Sequence, residues 1–497
     1  MVELLTRVRD VDSTTGAWLE RALARGLLLR AGEGRRLLLA GTYFFLLLAS
    51  YYMIRPIRDQ MGVAGGVKNL SWLMTATLLA MLVANPIYAA VVSRLPRRRF
   101  VPLVYRFFAL NILVFYALLL AHPTGAAAVW TGRVFYVWSS VFNLFVVSVF
   151  WSVMADAHTI EQAKRLFGAI GVGGTLGAIV GSSAIEALGR LAESGATMQL
   201  SPLHLLPVAA LLLEGAVRCF RSFVRSSAVA PTTSAAPHRA GAPAGSPPIE
   251  RSSAAAAMEA SAGGRRAGPE PTSDMWAGFV GLVRSPYLLS ICLYMLLFTI
   301  TGTLLYVEQA RVVDEALVGT AAQTRYFARV DLVTNALTLL LQVAVTGRLV
   351  TRIGLPATLL VLPLLTLAGF GALLAAPSLV LVGAFQVVRR ASHYAVDRPA
   401  REALFTVLSA DDKYKTKAFI DTFVYRTGDA IGAWAPRAVA KLATTPAAAA
   451  TAATLLAGAL AVGWLVNGVV LGRQHLRRAG AKPGESSVRP GAATGAS

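Results

Sequence analysis

Two sets of long apolar stretches, separated by a polar segment, constrain this chain more than any other feature. Roughly six stretches lie on each side of a segment near residues 226–275 that is rich in Ala, Pro, Ser and Gly. Each is about 18–25 residues long, the length an α-helix needs to cross the hydrocarbon core of a bilayer. The pattern predicts an all-α polytopic membrane protein with about 12 transmembrane helices in two six-helix halves.

Composition supports the same class. The chain is 55% hydrophobic and 15% charged, with a mean hydropathy of +0.58, whereas soluble domains carry about 25% charged residues. Its two cysteines, Cys219 and Cys292, lie in or beside apolar stretches and indicate neither a disulfide framework nor a metal site. The sequence has no nucleophile elbow or phosphate-binding loop. We therefore expect no enzyme activity, no cofactor and no metal, and a carrier is the first interpretation.

The net charge of +21 raises the question of a nucleic-acid partner. Lys and Arg instead collect in loops that fall on one side if the spans alternate, as the positive-inside rule requires. We therefore expect contact with membrane lipids, no nucleic acid, and both termini in the cytoplasm. Because the Ala-, Gly- and Arg-rich composition is typical of a GC-rich bacterial genome, a bacterial cytoplasmic (inner) membrane is predicted. The basic residues include Arg94, Arg97, Arg98, Arg99, Lys164, Arg165, Arg348, Arg352, Lys413, Lys415 and Lys417.

The chain divides into five parts. They are a cytoplasmic amphipathic segment 1–36, an N-terminal half 37–225, a disordered linker 226–275, a C-terminal half 276–472 and a cytoplasmic tail 473–497. The predicted spans are approximately 37–54, 70–92, 100–121, 129–154, 166–188, 203–219, 286–307, 327–347, 355–375, 378–396, 417–440 and 447–471. Basic and polar loops recur at matching places in both halves, which favours the parallel repeat of the major facilitator architecture.

Charges inside or beside spans are the candidate functional residues, since burying a charge in lipid is costly. Arg55 and Arg58 lie one helical turn apart at the end of the first span, on the predicted outer side. Guanidinium groups bind oxyanions through paired N–H donors, so they are candidate substrate ligands. The alternative is that they snorkel to headgroups or pair with Asp59 or Glu308.

The second half has its own candidates. Glu308, at the outer end of span 7, could bind substrate, couple protons or simply face water. Span 11 carries Lys417, Asp421, Arg426 and Asp429, which could line a substrate cavity or form an internal salt bridge. We assign substrate binding to Arg55, Arg58, Glu308, Lys417, Asp421 and Arg426, and coupling or gating to Asp59 and Asp429.

Other polar or small residues have simpler interpretations. Arg389, Arg390 and His393, near the end of span 10, are interpreted as a cytoplasmic boundary. Gly173, Gly177 and Gly181 recur every four residues in span 5, a pattern typical of close helix–helix contact.

Four motifs of this sequence occur together in one known family of proteins. YYMIRPIRDQMG is similar to its first-span Leu-Arg-x-x-Lys-Asp pattern, with Arg58 where lysine is usual. FWSVMADAHTIEQAKRLFG is similar to its stretch after span 4, and LYVEQARV places Glu308 at a glutamate implicated in transport. DDKYKTKAFID resembles its Lys-x-Lys-x-Lys-Ala run and places Lys417 at a lysine associated with transport.

These motifs together resemble the ATP/ADP translocases of plastids and intracellular bacteria. The resemblance implies the major facilitator fold and exchange of an anionic small molecule, with ATP and ADP as first candidates. Separately, we expect the protein to be a monomer. One departure matters: the exchangers carry a glutamate early in span 4, where this chain has Ser139 and Ser140. Two alternatives stay open. One is a membrane sensor or assembly module that does not transport, and the other is a proton-coupled transporter of an unrelated solute.

Overall fold

The computed structural model describes residues 33–193, 201–228, 285–344, 346–408 and 420–480. These residues are helices joined by short turns, with no strand among them, which confirms the all-α class. The helices are α1 Glu33–Ala64, α2 Leu70–Arg94, α3 Arg97–Ala121, α4 Gly125–Ala157, α5 Ile160–Glu193, α6 Leu205–Ala228, α7 Pro286–Ala316, α8 Thr320–Ala344, α9 Thr346–Ala375, α10 Leu379–Ser392, α11 Tyr425–Ala440 and α12 Pro446–Gly480.

Two of these helices are extended by π-helical turns. α10 continues through the turn His393–Asp397 into the helical segment Arg398–Leu404, and the turn Ile420–Val424 precedes α11. α9 is interrupted at Gly354, whose φ of 77° breaks the helical conformation.

Among the described residues, nine helices are long and apolar enough to cross a membrane. The other three are α8, which carries Arg325, Arg329 and Asp331 in its first half, and α10 and α11, which have 14 and 16 residues. Each of the twelve predicted spans overlaps a helix, but a count of twelve spans stays a prediction.

α1 and α7 lie at the centre of their halves. In α7, 78% of the most apolar window is buried, and in α1 50%, compared with 28–44% in the other membrane-length helices. α1 contacts α4, α5 and α6, and its tyrosines and phenylalanines pack with Phe150 and Phe220 in one continuous core. α7 contacts α10, α11 and α12 in the same way. A helix surrounded by others must bury polar side chains too, which explains why both central helices carry candidate site residues.

The two halves meet through α5 against α8, α2 against α11, and α1 against α7 and α8. α5–α8 and α11–α2 are equivalent pairs in the two halves, as the predicted parallel repeat requires. An apolar cluster at this interface joins Val63, Leu70 and Tyr136 of the first half to Val313 and Phe327 of the second.

Two of the differences from the predicted boundaries concern the candidate site and the linker. The first span was predicted to end at 54, but α1 continues to Ala64, so Arg55 and Arg58 lie within the helix. A hydropathy window ends at the first charges, whereas the backbone hydrogen bonds of a helix do not. The linker was predicted to begin at 226, but α6 runs to Ala228. Most of segment 1–36, the rest of the linker and most of the tail lie outside the described residues.

Candidate functional site

An ion-pair bridge between the halves forms the centre of the candidate site. Arg55 on α1 lies 3.2 Å from a carboxylate oxygen of Asp331 on α8, and Arg390 on α10 donates to the same oxygen at 2.6 Å. Asp331 is 2% exposed. One buried carboxylate therefore holds two guanidinium groups that come from different halves of the molecule.

A second group of side chains lies one turn further along α1. Arg58 is 3.4 Å from Asp59, and its guanidinium group stacks on the ring of Tyr136 at 4.2 Å. Tyr306 on α7 donates to Asp59 at 3.0 Å, and Tyr136 donates to Tyr306 at 3.3 Å. These contacts also cross between the halves, because Tyr136 and Asp59 belong to the first and Tyr306 to the second.

A third ion pair continues the cluster along α7. Thr303 donates to Asp429 at 3.1 Å, and Arg426 donates to the other oxygen of Asp429 at 3.1 Å. Thr303 and Tyr306 are three residues apart and therefore project from the same face of α7. That face contacts Asp59 and Asp429, so the predicted gating carboxylates lie near one another although they come from different halves.

Two guanidinium donors in this cluster have no hydrogen-bond partner within the described part of the chain. They are the Nε atom of Arg58 and the Nη2 atom of Arg390, and both are buried. The side chains of Arg55, Arg58, Arg390 and Arg426 keep 12–30% exposure, although the two free donor atoms themselves are buried. Partly exposed guanidinium groups with free donors can bind an oxyanion.

The four guanidinium groups face three carboxylates: Asp59, Asp331 and Asp429. This set therefore carries one net positive charge. We call these seven side chains, together with Tyr136 and Tyr306, the central cluster.

Glu308 lies outside the central cluster. Arg311, one turn further along α7, donates to it at 2.5 and 3.0 Å and also pairs with Glu315. Glu308 and Arg311 line a cavity of about 800 Å³ at the predicted outer end, with Lys68, Arg437 and an alanine-rich face of α12. The described arginines of the central cluster do not line this cavity.

Two further span-11 candidates lie wholly or partly outside the described residues. Lys417 lies outside the described residues, and Asp421 has its backbone in the turn Ile420–Val424 while its side chain is outside the described part. Ser139 and Ser140, in place of the family's glutamate, are buried and donate to the backbone carbonyl of Tyr136. Their hydroxyl groups therefore form hydrogen bonds within α4. Tyr136, on the same helix, makes the contact with Arg58.

Sequence reasoning missed Asp331 and misjudged Arg389 and Arg390. Together with His393 they were interpreted as a cytoplasmic boundary, but Arg389 is buried, the Arg390 side chain is only 12% exposed, and His393 lies 3.0 Å from Asp397. Arg389 is 4% exposed, donates to the carbonyl of Phe298 and to Thr301, and stacks on the Phe298 ring. Asp331 is a lone carboxylate in a predicted span, so the cost of an intramembrane charge was a signal that could have identified it.

Comparison with known proteins supports the motif-based interpretation. A family model described as TLC ATP/ADP transporter matches residues 120–221. The chain is 21% identical over 380 residues to ADP,ATP carrier protein 2 of Chlamydia pneumoniae, covering 70% of this chain and 67% of that protein. The resemblance to the ATP/ADP translocase family is confirmed.

Solved structures confirm the transporter's fold. A POT family transporter in complex with 5-aminolevulinic acid is 10% identical with a TM-score of 0.58, covering 89% of this chain and 96% of that one. The nucleoside transporter NupG is 11% identical with a TM-score of 0.53, covering 89% and 99%. A bacterial homologue of the lysosomal transporter Spinster is 13% identical with a TM-score of 0.51, covering 90% and 99%. These are major facilitator-type transporters, and the family match together with the fold supports a multi-pass membrane transporter.

Proposed function

We propose that this transporter is a secondary carrier that exchanges a nucleotide or another anionic metabolite across the bacterial cytoplasmic membrane. The observation that carries the proposal is the set of partly buried guanidinium groups where the halves meet, two of which keep unpartnered N–H donors. Carriers of this architecture bind their solute at the interface between the two halves, near the middle of the membrane. A charge at that depth is costly unless it is compensated, and an anionic solute would compensate the positive charge that the three carboxylates leave.

The comparisons favour nucleotides among the possible anions. The matched family is described as ATP/ADP transporters, and the chlamydial relative is an ADP,ATP carrier. Tyr306, which is partly exposed beside Asp59, adds an aromatic ring to the site, whereas the Tyr136 ring is fully buried beneath Arg58. This ring suits a solute that has both a flat ring and a phosphate. Exchange needs no resident cofactor, because the solute gradients drive it.

Alternating access is the mechanism that we propose. Towards the end predicted to be outside, Arg329 pairs with Glu186 at 2.8 Å and Trp434 donates to Thr75 at 3.0 Å, both between the halves. Arg437 donates to Ser71 and to the carbonyl of Lys68 near the same end. These contacts support a state closed at that end, in which the cluster would be reached from the side predicted to be cytoplasmic. Exchange then requires them to break.

Counter-exchange in proteoliposomes tests the proposal. Vesicles loaded with unlabelled nucleotide should take up labelled nucleotide, and Arg58→Ala should slow this uptake. Losing a hydrogen bond to a charged group costs about 1.5–3 kcal/mol, so we expect a reduction of roughly 10- to 100-fold.

The matched control is Arg218→Ala, because the Arg218 side chain on α6 is 79% exposed and pairs only along its own helix with Glu214 among the described contacts. This variant should exchange like the wild type. If the wild type exchanges no labelled nucleotide, phosphate ester or carboxylate, the non-transporting module becomes the better interpretation. If Arg58→Ala and Arg218→Ala behave alike, the central cluster is not the binding site.

A further inference from the structure

The carboxylates of the central cluster set an upper limit on the charge of its ligand. Arg55 and Arg390 share one oxygen of Asp331, Arg58 pairs with Asp59, and Arg426 pairs with Asp429. Because three carboxylates already neutralise most of the guanidinium charge, the cluster retains one net positive charge. A ligand with several negative charges would therefore face the carboxylates without enough positive charge to compensate them.

The unpartnered atoms describe the ligand more closely. Arg390 Nη2 and Arg58 Nε are buried donors without an acceptor, and each would gain from an anionic oxygen. Asp331 Oδ2 is a buried acceptor without a donor, because both arginines bind Oδ1. A buried polar atom without a partner is costly, so a ligand that supplies an N–H or O–H to Oδ2 gains from it. The complementary ligand therefore has anionic oxygens, few negative charges and a hydrogen-bond donor.

We propose that Asp331, together with Asp59, determines specificity by restricting the site to solutes with one phosphate or one carboxylate that also carry a hydrogen-bond donor. Nucleoside monophosphates and small phosphorylated or carboxylated metabolites meet this description, whereas nucleoside di- and triphosphates are disfavoured. The inference rests on the proposed function, since it concerns the same site. It differs from the activity in the names of the matched relatives, because it excludes their di- and triphosphates as preferred solutes.

The contact geometry also connects selection with movement. The Arg55–Asp331 pair joins α1 of the first half to α8 of the second. A bound anion that pairs with Arg55 in place of Asp331 leaves Asp331 with one partner. That partner is Arg390, which belongs to the same half as Asp331. A ligand with one phosphate or one carboxylate brings at most about two negative charges, whereas a polyphosphate brings a larger excess into the same space.

Competition between adenine nucleotides tests this proposal. Adenosine mono-, di- and triphosphate share one base and sugar and gain negative charge with each phosphate. In proteoliposomes of the full-length wild type, with magnesium absent, we expect the monophosphate to inhibit labelled uptake at least about tenfold better than the triphosphate. Asp331→Asn raises the net charge of the cluster by one, so it should shift this ratio by about tenfold or more towards the triphosphate.

The control and a second variant keep the test decisive. Asp156→Asn removes a carboxylate that pairs with Arg97 near the end of α4, away from the cluster, and should keep the wild-type ratio. Asp59→Asn frees Arg58 and should shift the ratio like Asp331→Asn, which covers the case in which the latter fails to fold. The proposal is overturned if the triphosphate competes as well as the monophosphate in the wild type, or if neither variant shifts the ratio. In both cases exchange itself persists, whereas failure of the proposed function abolishes all competition.

Discussion

At the scale of single residues, two carboxylates that pair with the same arginine differ in their burial. Arg311 binds both Glu308 and Glu315, whose side chains are 14% and 62% exposed. An exposed ion pair contributes little, because water screens it, but removing one partner of a buried pair leaves a poorly solvated charge. Glu308 is thus the member of this pair that can matter for transport.

We predict that Glu308→Gln lowers the exchange rate more than Glu315→Gln, with a difference of at least about fivefold, or about 1 kcal/mol. Both variants remove one negative charge and leave Arg311 with one carboxylate. Any difference between them therefore reflects the position of the carboxylate that was removed. Initial rates of counter-exchange at several substrate concentrations provide the measurement. Equal effects would mean that Glu308 acts only by holding Arg311.

At the scale of elements, the contact between α1 and α5 depends on glycine. A Cβ atom added at Gly173, Gly177 or Gly181 would collide with the backbone carbonyl of Gly41, Phe45 or Ala49 respectively. A helix backbone cannot move away as a side chain can, so the two helices would have to separate. Gly171 lies on the same helix with nothing within 4 Å of an added Cβ.

We predict that Gly177→Ala destabilises the transporter by about 1–3 kcal/mol through overpacking. Gly171→Ala should leave it unchanged or stabilise it by about 0.5–1 kcal/mol, because alanine favours a helix more than glycine does. Thermal unfolding of the detergent-purified variants distinguishes the two. If both lower the melting temperature equally, close contact between α1 and α5 is not the reason for these glycines.

At the scale of the whole molecule, the contact between α5 and α8 should open once in each transport cycle. A Cβ added at Gly189 would lie 3.2 Å from Cβ of Arg325, close to the separation of about 3.8 Å found in disulfides. The two residues belong to different halves. A covalent bond here would therefore hold the predicted outer end closed.

We predict that Gly189→Cys combined with Arg325→Cys forms a disulfide under oxidation and blocks exchange, and that reductant restores it. The background should carry alanine in place of Cys219 and Cys292, the two native cysteines. Each single-cysteine variant should exchange equally with and without oxidant. Unimpaired exchange by the oxidised double variant would contradict a mechanism in which this end opens.

Much of the architecture was predictable because membrane spans are encoded locally. A run of apolar residues forms a helix in lipid whatever its neighbours are, since its backbone must satisfy its own hydrogen bonds there. All twelve predicted spans overlap helices, including Leu205–Ala228, where two prolines near its start and Glu214 weakened the pattern. The boundary error at α1 arose where charges continue inside a helix.

The sequence by itself determined the class of protein, the two halves, the family resemblance, and Arg55, Arg58, Asp59 and Asp429 as unusual charges. Only the tertiary structure decided their partners. Arg55 meets Asp331, and Asp59 meets Tyr306, across an interface between residues far apart in the chain. Hydropathy predicts which segments lie in lipid, but it does not predict which helices contact each other. Partner choice depends on how the two halves pack, and that packing turns separate costly charges into one cluster with free donors for an anion.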